Sequence, residues 1–264
     1  MSAPVLQTQG LVKRFGGIAA TNDVSLSIAR GARHALIGPN GAGKTTLINL
    51  LTGVLPATAG RVLLHGRDIT ALAPHRRVGL GLVRTFQINQ LFGTFTPLQS
   101  LALAVAAQQG AAHRWWQPMG HDAAIASECE RLLGQFRLLD QADQPTRQLP
   151  YGKRRLLEIA LAVARRPSVL LLDEPAAGVP ASDRQDILDT IAALPAEVAV
   201  VLIEHDMDLV FSFATRLTVL VNGVVLTEGA PADIAADAQV RAVYLGDSLA
   251  GIRDAAPVTG GRGG

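Results

Sequence analysis

The sequence predicts an α/β fold: a mostly parallel sheet, an antiparallel β part near the N-terminus and a helical subdomain inserted between. Three observations predict it. A glycine-rich turn, Gly38 to Thr46 (GPNGAGKTT), sits between a short apolar run and a helical pattern. Two aliphatic runs, Val169 to Leu172 and Val198 to Ile203, read as strands covered on both faces. They end at Asp173-Glu174 and at Glu204-His205. Between residues 88 and 149 the apolar spacing turns helical.

Taken in order, Val5 to Phe15 begins as a strand and ends in Lys13-Arg14-Phe15-Gly16-Gly17. Asn22 to Ala29 alternates polar and apolar residues, the pattern of a half-buried antiparallel strand. Arg33 to Ile37 reads as a short buried strand, and Thr46 to Thr52 has helical spacing. Gly60 to Ile69 reads as a hairpin, and Gly79 to Phe86 as a buried strand running into Gln87. Thr96-Pro97-Leu98-Gln99 is a capping-box start, with Thr as cap, Pro at the first helical position and Gln three after the cap. The helix should run to about Gln108. A loop containing Trp115 and Trp116 follows, a surface that meets a membrane partner or else packs inward, and then a second helix from Asp122 to Leu139. Leu149 to Gly152 reads as a turn before a basic helix, Lys153 to Ala164. A helix is expected from Ala181 to Leu194, and a hairpin around Asn222-Gly223. A short helix ends near Tyr244. The whole reads as one domain over residues 1–250. Its core covers 1–87 and 150–230, the helical subdomain 88–149 and the C-terminal helix 231–250, before a flexible tail at 251–264.

The 264 residues carry 24 Lys plus Arg against 22 Asp plus Glu, a net charge of +2. That balance argues against a nucleic-acid partner despite a pI near 9.0. Hydrophobic residues make up 48%, and a mean hydropathy of +0.26 suits a partner surface as well as a core. No apolar run approaches the ~18 residues of a membrane span. The N-terminus lacks the basic and apolar regions of a secretory signal. The lone Cys129 excludes an internal disulfide and fits a reducing compartment. An intracellular, non-secreted protein is expected.

The turn fits the pattern G-x-x-x-x-G-K-[ST], with Gly38, Gly43, Lys44 and Thr45 in its fixed places. Pro39, Asn40, Gly41, Ala42 and Thr46 complete the loop. Backbone N–H groups at a helix N-terminus attract phosphate, and glycines let the chain curl around it. Lys44 is expected to reach the β- and γ-phosphates, and the Thr45 hydroxyl to ligate Mg²⁺. Asp173, after four apolar residues, reads as the second Mg²⁺-holding group. Glu174 is the candidate general base for the attacking water. His205 would polarise the γ-phosphate or position the water. Gln87 would touch Mg²⁺ or water, and Phe15 would stack on a base. All but Phe15 follow predicted strands, where parallel sheets bind ligands.

With these pieces in this order the chain resembles the ATP-binding subunits of ABC transporters. The resemblance spans nearly the whole chain. It rests on Phe15, GPNGAGKTT, Gln87, the signature-like LPYGKRR from Leu149, VLLLDEP and His205. RTFQ at Arg84, RRLLEIA at Arg154, DEPAAG, IEHDM and VYLG look most like the branched-chain amino acid type; related importers of urea, amides and aromatic acids share them. The resemblance implies a P-loop NTPase core that binds ATP with Mg²⁺ and hydrolyses it to drive transport. It implies a second ATPase subunit, commonly a different chain, whose nucleotide is completed by Leu149, Pro150, Tyr151, Gly152 and Lys153 of this one. It also implies two transmembrane permease subunits, a periplasmic or extracytoplasmic solute-binding protein, and a peripheral place at the cytoplasmic face of the membrane.

Pro150 stands where the wider family has Ser or Ala, Lys153 where it has Gln, and Pro180 where Asp or Asn is usual. Pro150 removes a hydroxyl and a backbone donor. These motifs act on the partner's nucleotide, so the departures point either to an asymmetric heterodimer, with Lys153 offsetting the lost donors by charge, or to neutral drift at tolerant positions. A soluble ABC ATPase would usually carry two ATPase domains or a long coiled-coil insertion. A kinase or GTPase leaves the Glu-His pair unexplained. A non-hydrolysing module conflicts with Glu174 and His205.

Overall fold

The computed structural model describes residues 4–85, 91–110 and 122–244. The readings placed on Phe86, Gln87, Trp115, Trp116 and residues 245–264 lie outside them.

Two sheets make up the β part. In the first, β1 (Pro4–Phe15) pairs antiparallel with β2 (Ile18–Ala29) and with β4 (Ala59–Leu64), and β5 (Arg67–Asp68) extends the edge, in the order β2-β1-β4-β5. The second holds β3 (Arg33–Ile37), β6 (Leu82–Arg84), β7 (Val169–Asp173), β8 (Ala199–Ile203), β9 (Arg216–Val221) and β10 (Val224–Gly229), in the order β10-β9-β3-β8-β7-β6. Its pairings are parallel except for the β9–β10 hairpin. Asn222 (φ 49°) and Gly223 (φ 78°) turn that hairpin in the left-handed region that Asn-Gly favours.

The aliphatic strands are apolar throughout because both faces are covered. Leu170, Leu172, Val200 and Leu202 face a core shared with α3 (Pro97–Gln108), α4 (Ala123–Gln135), α5 (Tyr151–Val163) and α6 (Ala181–Ala192). Their alternates Val169, Leu171, Val201 and Ile203 join Leu47, Ile48 and Leu51 of α1 (Lys44–Thr52) and the inner face of the antiparallel sheet. Helix α1 is therefore sandwiched between the two sheets. A smaller core packs α7 (Met207–Phe213), α8 (Pro231–Ala236) and α9 (Ala238–Tyr244) against β3 and β9.

Helix α3 begins with the predicted capping box: the Gln99 N–H donates to Thr96 Oγ1 at 3.2 Å and the Thr96 N–H to Gln99 Oε1 at 3.0 Å. Other boundaries move. The strand expected from Gly79 shortens to Leu82–Arg84, because α2 (Pro74–Gly79) occupies its start. Six residues capped by Ala73 give neither periodicity nor a polar cap to read. The basic helix begins at Tyr151, inside the expected turn, since Pro150 (ψ 151°) already has the extended backbone of a cap residue. The C-terminal helix is two. Asp237 breaks it and caps α9, its Oδ1 accepting from the Gln239 N–H at 2.7 Å.

Arg77 of α2 explains that helix's position. It is 2% exposed, and its guanidinium donates to the carbonyls of Leu50 and Leu51, both at 2.7 Å, and of Thr70 and Leu72. A cation thus satisfies the C-terminal end of α1, where the helix dipole is negative.

His34 lies inside the sheet with Nε2 at 2.8 Å from Thr218 Oγ1. Burial lowers its pKa from 6.5 to about 4, against a smaller upward pull from Glu228. Below pH 6.5 the unfolded chain takes up a proton that the folded chain refuses, so stability falls as pH drops from about 6.5 to about 4. Urea titrations across that window should show the wild type losing roughly 3 kcal/mol more than His34→Gln. Parallel pH profiles would contradict the assignment.

Candidate functional site

The carboxyl ends of β3, β7 and β8 meet at one cleft of about 270 Å³, lined by residues 40–46 with Ala20, Asp173, Glu174, Ile203 and His205. The loop between β3 and α1 can only be glycine at two places. At Gly38 (φ 154°) a Cβ would stand 2.1 Å from the Leu220 carbonyl oxygen, and at Gly43 (φ 99°) one would stand 2.4 Å from that of Ala20. Both approaches pin the loop against neighbouring strands. Gly43 caps α1 without a side-chain acceptor, so the first-turn N–H groups face the cleft with no side chain competing for them. The Gly223 N–H also holds the loop through the Ala42 carbonyl at 2.9 Å.

Lys44 is 8% exposed and donates to the carbonyls of Gly38 at 2.5 Å and Pro39 at 3.1 Å. Burial lowers its pKa, and Glu174 and Asp173 pull it back up. An ammonium so placed lies inside the loop that a polyphosphate would fill. Thr45 and Asp173 put a hydroxyl and a carboxylate into the same cleft. These are hard oxygen donors, and no group of three or more His, Cys, Asp or Glu suited to a metal occurs among the described residues. A small donor set of this kind suits Mg²⁺, which keeps water and phosphate oxygens in its shell.

Glu174 and His205, 31 residues apart, meet here with His205 Nε2 at 3.0 Å from Glu174 Oε1. Glu174 has φ 48°, which costs a non-glycine residue ~1–3 kcal/mol unless its surroundings impose it. They do. Its N–H donates to the Ile203 carbonyl at 2.9 Å, and its own carbonyl accepts from Arg155 Nη2 at 2.5 Å. Arg155 also donates to the carbonyls of Asp173 at 3.2 Å and Pro175 at 2.9 Å, and pairs with Glu158 at 2.5 Å. Glu204 closes the other side: buried behind His205, it accepts from the Ala176 N–H at 2.9 Å and the His205 N–H at 3.2 Å. Burial pushes its pKa up.

The remaining predicted residues stand elsewhere. Phe15 is half-exposed at the end of β1, with the Lys13 ammonium 5.1 Å from its ring centroid, and does not line the cleft. Leu149 to Lys153 do not line it either. The Tyr151 hydroxyl donates to the Ala177 carbonyl at 3.1 Å, and Gly152 lies against Asp183 of α6. Lys153 donates to the Arg137 carbonyl at 2.6 Å. Sequence reasoning gave no site role to Arg84, Arg155, Glu158 or Glu204. The i,i+3 spacing of Arg155 and Glu158 was visible, but not their burial.

Known proteins share this architecture. Residues 21–177 match the ABC transporter family, and residues 224–250 match the branched-chain amino acid ATP-binding cassette transporter family. The chain is 38% identical to the Pseudomonas aeruginosa high-affinity branched-chain amino acid transport ATP-binding protein BraF over 94% of this chain and all of that one. It is 36% identical to the Escherichia coli protein LivG of the same description, with the same coverage. The ADP conformation of an ATP-binding cassette of an ABC transporter superposes with a TM-score of 0.82 at 30% identity, covering 93% of this chain and all of that one.

Removing Arg155 leaves Glu158 buried without its cation and takes a donor from the carbonyls of Asp173, Glu174 and Pro175, of which that of Glu174 keeps the Ala177 N–H at 3.1 Å. Arg155→Met should lower the stability by about 3–5 kcal/mol in urea unfolding, and adding Glu158→Leu should recover part of that loss. A loss below about 1 kcal/mol would show that the clamp is dispensable.

Proposed function

The chain belongs to the ABC transporter family, as an ATP-binding subunit that hydrolyses ATP on behalf of membrane permeases, and we propose that it powers the uptake of branched-chain amino acids. The observation that carries the chemistry is the Glu174–His205 contact beside Lys44 under the phosphate loop. The observation that favours the solute class is the match of residues 224–250 to the branched-chain type, together with the similarity to BraF and LivG.

In this reading the loop N–H groups and Lys44 bind the ATP phosphates, replacing the contacts that Lys44 makes to Gly38 and Pro39. Thr45 and Asp173 would hold Mg²⁺, with Gln87 as a further candidate ligand; bound there, the ion would neutralise phosphate charge. Glu174 takes a proton from the attacking water. His205 fixes the Glu174 carboxylate and reaches toward the γ-phosphate, and Phe15 offers a face to the base. Glu204, held by two backbone N–H groups, keeps the His205 segment against the Glu174 turn.

The active assembly is a pair of ATPase subunits at the cytoplasmic face of the membrane, with two permeases and an extracytoplasmic binding protein. Leu149 to Lys153 serve the partner subunit's nucleotide. Pro150 and Pro180 cap α5 and α6 without side-chain acceptors or N–H groups, so this chain completes its partner's site poorly. A different partner chain fits that asymmetry.

Glu174→Gln should cut ATP turnover by ~10²–10⁴-fold and keep nucleotide binding; unchanged turnover would mean that another group is the base. Pro150→Ser with Lys153→Gln should raise hydrolysis at the partner's site, and an unaltered single-site rate would remove the asymmetry argument. In the purified membrane complex, leucine, isoleucine and valine with the binding protein should stimulate ATPase. Stimulation by urea, amides or aromatic acids instead would reassign the solute.

A further inference from the structure

Asp173 is not free at the end of β7. Its Oδ2 accepts from Arg84 Nη2 at 2.6 Å, and the other arm of the same guanidinium, Nη1, donates to Asn49 Oδ1 at 2.7 Å. Arg84 reaches both because β6 lies beside β7, pairing Arg84 with Leu171, and the neighbouring Thr85 N–H continues the ladder to the Leu171 carbonyl at 3.0 Å. The pair is largely buried, with the Arg84 side chain 16% and the Asp173 side chain 25% exposed. Arg84 Nε has no partner among the described residues, so the two arms alone orient the fork.

Asn49 is four residues beyond Thr45 on α1, one turn along the same face. A rigid guanidinium thus bridges the helix that carries Thr45 to the strand that carries Asp173. Lysine could not do this, since a single ammonium on a flexible stem does not span two fixed acceptors in a plane. Resting on the reading that Thr45 and Asp173 hold Mg²⁺, we propose that Arg84 is a positioning residue for that site. It sets the separation of hydroxyl and carboxylate by tying Asp173 to Asn49, and leaves Asp173 Oδ1 for the metal's shell. Asp173 Oδ1 accepts no hydrogen bond within the described residues, consistent with that division. The opposing effect is electrostatic, because a cation beside Asp173 also weakens its pull on Mg²⁺. The two effects predict opposite outcomes and can be separated.

The test is equilibrium binding of ATP to the full chain, once with Mg²⁺ and once with EDTA, reading the ratio of the two dissociation constants. Positioning predicts that the Mg²⁺-dependent gain falls about tenfold in both Arg84→Met and Arg84→Lys, with binding in EDTA unchanged. Asn49→Ala should lower the gain less, in the same direction. Charge competition predicts the reverse: a larger gain in Arg84→Met and a wild-type gain in Arg84→Lys. Either of those results overturns the proposal, as does equal weakening with and without Mg²⁺, which marks a scaffold role. If Arg84→Met does not fold, Arg84→Lys and Asn49→Ala decide alone. A wild type that binds ATP equally well with and without Mg²⁺ sinks the metal reading and this inference with it.

Discussion

The turn after β7 depends on one buried guanidinium. Arg155 holds the carbonyl oxygens of Asp173, Glu174 and Pro175. Carbonyls in so sheltered a turn need a donor, since an orphaned buried acceptor costs ~1–3 kcal/mol; the bond to Pro175 is buried and those to Asp173 and Glu174 are partly so. The clamp keeps Glu174 in a left-handed conformation that its side chain disfavours, and so aims the carboxylate at His205. Arg77 does the same for the C-terminal carbonyls of α1, and Arg33 for those of Leu194 and Val198. Arginine suits this work, because its fork reaches several acceptors at fixed angles and stays charged when buried.

These clamps matter because the site is assembled from distant segments. The phosphate loop, the β7 turn and the β8 turn each leave the sheet at its carboxyl end, and each is short. Nothing in a short loop fixes its direction, so the fixing comes from below: the apolar sheet holds the strands in register, and buried polar contacts hold the turns. Glu204 and Arg155 grip the Glu174 turn from opposite sides. Gly38 and Gly43 let the phosphate loop sit directly on neighbouring backbone. The result is a cleft whose charged groups are held by contacts of the fold itself, the condition under which fixed dipoles and charges act most strongly.

Helix α5 ties two regions together within one chain. Its first turn carries Tyr151 and Gly152, which pack on the Ala177 turn and on α6. One turn further, Arg155 grips Glu174. The start of α5 and the Glu174 turn are thus joined through contacts made by a single helix.

Much of this was legible in the residues themselves. The phosphate loop is contiguous, and its glycines, lysine and threonine sit at fixed spacing. The β7 and β8 runs are aliphatic because both faces are covered, and Asn222-Gly223 and Thr96-Gln99 are local signals with local causes. What could not be read was which buried partner each side chain meets across segments. Arg84, Arg155 and Arg77 look like surface cations in sequence, and α2 is too short to show a period. Only the packing of β6 beside β7, of α5 beneath the Glu174 turn and of α2 against the end of α1 turns those arginines inward. Sequence by itself determined the elements and the chemistry available, because propensity, periodicity and motif spacing act over a few residues. Tertiary structure alone decided which acceptor each buried cation meets, since a salt bridge across 89 residues, such as Arg84 to Asp173, leaves no local trace.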